Sequence, residues 1–218
     1  MLDFEQPAIQ AFTSMFPSES IVCCSFHFLK CLWRCVQSQL LGPQYMSDDE
    51  LSHQVKMIAA LAYVPVEHVS AVFCVLKGRL DARLTGVISY FERNFVGWIC
   101  VNRVTSPVYA HTTWNLVVRV LEGLPRTNNL VEGWHNLLRR IVGSSRPTLK
   151  QFFKKLRLMQ HTGYIERMGG LRHSAHGVKR TLYEQVSMRL RNLVENFSAY
   201  DPLEYLSKIA GVLRINHL

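Results

Sequence analysis

The chain is expected to fold as a mainly α-helical protein, on three observations. Apolar residues recur near helical spacing along most of its length, proline and glycine fall between those stretches, and β-branched runs are few and short. Asp3 to Phe16 reads as a first helix, with Phe4, Ala8, Ile9, Phe12 and Met15 near helical spacing and Pro17 closing it. Ser20 to Cys24 suits one short buried strand. A helix from about Phe26 to Leu41 ends at Gly42-Pro43. Ser47-Asp48-Asp49-Glu50 offers a capping box, Ser47 as cap and Glu50 three residues on, for a helix running to about Tyr63. Pro65 suits the opening of the next helix, which continues to about Leu76. Leu80 to Phe95 reads as a fifth helix. Gly97 to Thr113, with its β-branched residues and Ser106-Pro107, reads as a loop or short hairpin. Trp114 to Glu122 is helical and broken by Gly123-Leu124-Pro125. Four helices follow, about Leu130 to Val142, Thr148 to Gln160, Val178 to Phe197 and Pro202 to Leu213; Gly169-Gly170 and Gly177 mark the connection before the last pair.

With 218 residues and 48% apolar content, the chain can bury a real core and is not generally disordered. The apolar run near Met57 to Val66 is about half the ~20 residues of a membrane helix, and Met1-Leu2-Asp3-Phe4-Glu5 has no signal-like character. A soluble, intracellular protein is expected. Four of six cysteines (Cys23, Cys24, Cys31, Cys35) crowd together, which suits reduced thiols better than a disulfide framework. The formal charge of +9 is uneven: thirteen Lys and Arg between Leu138 and Asn192 face only Glu166 and Glu184. Such a block attracts polyanions, although a solvated basic face without a specific partner explains it equally well.

The segment RTNNLVEGWH, Arg126 to His135, carries the most chemistry. At ~100° per residue, Leu130, Trp134, Leu137, Leu138 and Ile141 share one arc, and Glu132 lies opposite near Asn136 and Arg139. Glu132 therefore faces water or a polar cleft. Asn129 followed by Glu132 also approaches a capping-box pattern, which competes with any catalytic role. A cap, however, calls for neither Asn128 nor the Trp134-His135 pair.

RTNNLVEGWH resembles the third-carboxylate segment of Mutator-like element (MULE) transposases. Leu2-Asp3-Phe4-Glu5 resembles their second-aspartate segment, and Cys24-Ser25-Phe26-His27 their Cys-x-x-His signature, in the same order. Pro147 to Phe152 and Tyr205 to Ala210 are similar to the family's C-terminal helices, so the resemblance spans essentially the whole chain. It implies the C-terminal part of a ribonuclease H-like transposase domain with most of its β-sheet missing. In its terms, residues 1–46 are a remnant of the core, 47–125 a helical insertion, 126–160 the glutamate helix and its successor, and 161–218 basic C-terminal helices. Asp3 becomes the second metal-binding carboxylate and Glu132 the third, on Mg²⁺ or Mn²⁺ that would activate water or a 3′-hydroxyl against a phosphodiester. Cys24, His27, Asn128, Asn129, Trp134 and His135 become motif residues. The first aspartate of the triad and most of the strands would lie upstream of Met1, so this chain alone is expected neither to cleave nor to join DNA. The first helix and Ile21-Val22 should then lack their packing partner and expose apolar surface.

Cys24 and His27 have a spacing that zinc accepts, yet structural zinc takes four ligands and one helix cannot wrap them; burial as small core residues beside Leu32 and Trp33 is the simpler role for these cysteines. His135 could sit at the mouth of a DNA site or beside the core, and Trp114 and Trp134 suit packing better than base stacking. Arg139, Arg140, Arg146, Lys150, Lys154, Lys155 and Arg157 are the DNA-contact candidates. The expected function is thus a fragment or remnant of a DDE-type DNA transposase. The alternative is a helical protein derived from one that binds nucleic acid without chemistry, or is purely structural. DNA is the expected partner, with no membrane; a homo-oligomer is open, and the nucleus is the expected location, with the cytoplasm as the alternative.

Overall fold

The computed structural model describes residues 1–16, 21–100, 103–143, 147–168 and 177–213; within these, the side chains of 98–100, 103–104, 129–132, 134–135, 162–168 and 177–183 are outside the description. The fold is mainly helical, as the periodicity predicts. The chain divides into two units, Met1–Thr127 with Leu182–Leu218, and Asn128–Thr181.

The first unit opens with α1 (Gln6–Met15), later and shorter than the periodicity suggests. Pro7 falls in the first turn of α1, where its missing N–H costs nothing. Phe4 stays outside the helix and joins the aromatic core instead. Then come α2 (Ser25–Ser38), α3 (Gly42–Ser47) and α4 (Asp49–Ala60), the last running on as a 3₁₀ turn to Tyr63. The cap of α4 is Asp48, whose Oδ1 accepts the Leu51 N–H at 3.0 Å. Ser47, expected in that role, donates back to the Pro43 carbonyl at the end of α3, and Glu50 accepts from Gln54 Nε2 at 2.9 Å. Helix α5 (Val69–Lys77) follows a 3₁₀ turn after Pro65.

The expected fifth helix is three pieces: a 3₁₀ turn, α6 (Thr85–Phe91), and a π-helical turn over Glu92–Val96 closed by the Gly97 N–H on the Glu92 carbonyl at 2.8 Å. Beyond it, β1 (Trp98–Cys100) pairs antiparallel with β2 (Arg103–Thr105), the second of the two forms, loop or short hairpin, open for that stretch. Gly97 needs its left-handed φ of 87° for the turn into β1, and a Cβ there would collide with the Thr105 carbonyl. Helix α7 (His111–Trp114) begins inside the stretch expected to be a loop or hairpin, and Asn115 separates it from α8 (Val117–Leu121), which is shorter than the helix expected from Trp114 to Glu122. Asn115 is buried because its amide is used twice, donating to the Val64 carbonyl at 2.6 Å and accepting from the Val117 N–H at 3.0 Å.

The core of this unit is aromatic. Phe28 stacks on Trp114 (centroids 5.4 Å apart), and Phe91 and Phe95 close around them. Helix α12 (Pro202–Val212) packs along α4, with Tyr205 donating to the Tyr63 carbonyl at 2.5 Å and His53 Nε2 lying 2.9 Å from Ser207 Oγ. Trp114 is therefore the packing anchor its size suggests, at 1% exposure. Ile21 is buried, contrary to the expectation that it lacks a partner. The exposed apolar surface belongs to α1 and its end: no residue of that helix is buried, and Phe12, Met15 and Phe16 face solvent.

The second unit contains α9 (Asn129–Val142) and α10 (Leu149–Met168), packed on each other, and the start of α11 (Gly177–Glu195), whose residues from Leu182 belong to the first unit. Helix α9 ends on Gly143 at φ 69°, its N–H closing on the Arg139 carbonyl at 3.1 Å. Before α10, Thr148 and Gln151 cap reciprocally: the Thr148 N–H donates to Gln151 Oε1 at 3.0 Å, and the Gln151 N–H to Thr148 Oγ1 at 3.3 Å.

Candidate functional site

The site begins with a fragment of parallel pairing. The Leu2 N–H donates to the Val22 carbonyl and the Cys24 N–H to the Leu2 carbonyl, both at 2.9 Å, which is the slanted pattern of a parallel ladder around Leu2 and Cys23. Parallel neighbours need a crossover connection, and α1 lies within the segment that makes it. The pairing holds the backbone on one side of Asp3. On the other side, Phe4 packs edge-on against Tyr109 at 5.0 Å, and the Tyr109 hydroxyl donates to the Phe4 carbonyl at 3.1 Å.

Asp3 is thereby set beside the first turn of α2, where a carboxylate is favoured by the helix dipole. Its Oδ1 lies 3.0 Å from Nδ1 of His27, the third residue of α2. That nitrogen is shut off from solvent and lies at ion-pair distance from the carboxylate. The Asp3 side chain keeps 40% of its exposure, so the carboxylate remains open to water. The contact is a salt bridge when the imidazole is protonated and a charge–dipole contact when it is not.

Cys24 caps α2 and is fully buried, while Cys23 and Cys35 are buried and Cys31 is half-buried. Burial pushes the Cys23 thiol up to about 12. It pushes Cys35 up to about 11 against an opposing hydrogen bond from Ser38, and it also raises Cys31. Thiols held neutral in this way are poor nucleophiles and poor metal ligands. They act as core residues, as the sequence favours. Cys74 is the exposed thiol among those described, and the Cys100 side chain lies outside the described residues.

The Arg126 end of RTNNLVEGWH meets the same helix start. The Ser25 N–H, one of the unsatisfied donors opening α2, is taken by the Arg126 carbonyl at 2.9 Å. The Arg126 side chain is 9% exposed and donates to Ser187 Oγ on α11 at 3.0 Å. A pocket of about 230 Å³ lined by Ser25, Arg126, Thr127 and Leu190 lies against this junction. Sequence reasoning gave Arg126 no role; its only signal was its place at the head of the motif. Asn128 stands at the cap position of α9 without a side-chain cap bond, and Asn129 is the first helical residue, so the Asn129-to-Glu132 capping pattern is shifted by one. Glu132 and the Trp134-His135 pair ride on the α9 backbone, with side chains outside the described residues.

Of the basic candidates, Arg139 and Arg140 on α9 and Lys150, Lys154 and Arg157 on α10 are exposed, and Lys155 is half-buried. None is ion-paired among the described residues; Arg139 and Arg140 lean on Asn136 instead. Arg146 lies outside the described residues. Phe153, Leu149 and Leu158 are exposed on the same helix, interleaving apolar surface with the charge.

Asp3 is one hard oxygen ligand where a metal pair needs several carboxylates. Among the described residues, no three His, Cys, Asp or Glu converge on a point where an ion could sit. The described residues alone therefore make neither a two-metal centre nor a four-ligand zinc site at Cys24 and His27, and the Glu132 carboxylate lies outside them. No helix among the described residues is long and apolar enough to cross a membrane. Compared with protein-family models, curated proteins and solved structures, the chain matches none.

Proposed function

We propose that these 218 residues are a piece of the catalytic region of a MULE-type DDE transposase, able to hold DNA and, alone, unable to cut it. The observation that carries this reading is the 3.0 Å contact between Asp3 and His27. The resemblance names one as a catalytic carboxylate and the other as a signature histidine, and nothing in their spacing requires them to meet. The parallel Leu2–Cys23 bridge across α1 supports a ribonuclease H-like origin, since that fold presents its acids at the ends of paired strands. The hydrogen bond from the Ser25 N–H to the Arg126 carbonyl supports the reading too, since it joins the Cys-x-x-His segment to the head of RTNNLVEGWH.

In this reading Asp3 is the second metal carboxylate and Glu132 the third. The complete family site would take Mg²⁺ or Mn²⁺ to activate an oxygen nucleophile on a phosphodiester. The residues described supply only the orientation of Asp3: backbone pairing fixes its position, and His27 fixes one oxygen. The second unit supplies the DNA affinity. From Asn128 to Thr181 eleven Lys and Arg face Glu132 and Glu166, and each phosphate neutralised releases counterions. A nuclear location follows from a DNA partner.

The test is DNA binding and nicking by the purified 218-residue protein. Binding should be measurable at low salt and fall steeply as salt rises, by ~0.9 log units of affinity per log unit of salt for each phosphate contacted. No nicking is expected in Mn²⁺. Mn²⁺-dependent nicking abolished by Glu132→Gln would show that the chain is catalytic by itself. Absence of DNA affinity even at low salt would instead favour a structural helical protein.

A further inference from the structure

A second polar cleft, lined by neither Asp3 nor His27, opens between α2 and α6 with a volume of about 540 Å³, within the range of small-ligand sites. It is formed by matching stripes on the two helices. Cys31, Arg34, Cys35 and Ser38 recur at i, i+3, i+4 and i+7 along α2. Gly86, Ser89, Tyr90 and Arg93 repeat that spacing from α6 into the π-helical turn. A packed helix pair ordinarily fills such a seam with aliphatic side chains, whereas this one carries two guanidinium groups and three hydroxyls.

The charge is one-sided. No carboxylate lines the cleft, and among the described residues neither Arg34 nor Arg93 has an ion pair or hydrogen bond. Glu92, next to Arg93, is taken by Lys77 of α5 at 2.7 Å. The two thiols stay neutral because burial raises both. Two further features point to a ligand. Arg93 sits on the π-helical turn, a costly backbone form that concentrates at functional sites. Gly86 leaves room for the Gln39 carboxamide, whose Oε1 lies where any Cβ would collide with it, so that this amide becomes part of the cleft wall.

We infer that this cleft binds a phosphate group, gripped by Arg34 from α2 and Arg93 from the π-helical turn, with Ser89, Tyr90 and Gln39 as hydroxyl and amide donors. Guanidinium forks match phosphate oxygens in pairs, and hydroxyl donors complete the shell of a tetrahedral anion. The site is independent of the transposase reading, since it uses none of Asp3, His27 or Glu132. The phosphate can come from a small phosphomonoester or from the backbone of a nucleic-acid strand.

The experiment follows the arginine Nε–H resonances of the full chain during titration with inorganic phosphate, a mononucleotide and a single-stranded oligonucleotide, at constant ionic strength. Arg34 and Arg93 should shift together and saturate, while Arg79, as exposed as they are but outside the cleft, should not. The affinity should fall about tenfold or more in the Arg34→Gln/Arg93→Gln double variant and stay unchanged in Arg79→Gln. Saturation by phosphate and mononucleotide identifies a small phosphorylated ligand; saturation by the oligonucleotide alone identifies a strand. Absence of a selective Arg34 and Arg93 shift with all three probes would overturn the inference, as would equal losses in the double variant and the Arg79 control. The wild-type resonances carry the test even if the double variant folds poorly.

Discussion

The Ser25 N–H donates to the carbonyl of Arg126 at 2.9 Å, tying the start of α2 to a segment far along the chain. That bond brings two motifs onto one small framework, and the Arg126 side chain reinforces it by reaching Ser187 on α11. Removing the side chain strips a buried charged donor from its acceptor. Arg126→Ala should therefore destabilise the first unit by about 1.5–3 kcal/mol, seen as a lower urea midpoint. Arg126→Lys should recover little of this, because an ammonium cannot reproduce the guanidinium fork. A midpoint unchanged in Arg126→Ala would mean that the Ser187 contact carries no weight.

The cap of α4 gives a sharper local test. Asp48→Ala should cost about 1 kcal/mol through loss of the Leu51 N–H bond, and Ser47→Ala clearly less. Asp48→Asn should keep most of the cap and lose only the exposed Arg83 contact. Thermal melts of the three variants check the order, and equal losses at both positions would restore Ser47 as a cap.

Acid should weaken the first unit through Asp81 and Asp48. Hydrogen bonds from Arg83 hold the Asp81 carboxyl down at about 2. The Leu51 N–H and Arg83 lower Asp48 as well. A carboxylate depressed in the folded state stabilises it above the ordinary value near ~3.9 and loses that contribution as pH falls toward 2. The urea midpoint should accordingly drop between pH 4 and pH 2, and Arg83→Gln should flatten that drop. The effect is small, because the groups are exposed.

Alkali acts through the thiols with the opposite sign. Cys23 and Cys35, raised to about 12 and about 11, are neutral when folded but ionise near ~8.5 once exposed. Their contribution is complete below ~8.5 and fades as pH climbs toward those folded values. Site-resolved alkylation at pH 8 should modify Cys74 well before Cys23 or Cys35, which should react only on unfolding. Early modification of Cys23 would contradict its burial.

How much of this was legible in the sequence depended on how local each cause is. Helix class and order followed from periodicity, because an amphipathic stripe such as that of α4 announces itself within a dozen residues. Boundaries were harder. The break at Asn115 and the π-helical turn over Glu92–Val96 arise from distant carbonyls and from packing around Phe28 and Trp114, which no window of sequence contains. The cap moved from Ser47 to Asp48 because both residues satisfy the same pattern and only the backbone chooses between them. At the site, the motif order drew attention to Asp3, Cys24 and His27, but not to Arg126, whose role depends on Ser25 and Ser187. The cleft between Arg34 and Arg93 was invisible because its two stripes lie on different helices.

The most direct test of the transposase reading is paramagnetic broadening by Mn²⁺ in the full chain. A substoichiometric titration should broaden the amide resonances of Asp3 and of Cys24 to His27 first, and Asp3→Asn should abolish that selectivity. Even one carboxylate binds Mn²⁺ weakly, and broadening reports weak binding. Selective broadening at Asp3 and His27, lost in Asp3→Asn, is the predicted result. Broadening spread evenly over all the acidic residues, or unchanged by Asp3→Asn, would contradict the assignment of Asp3 as a metal carboxylate.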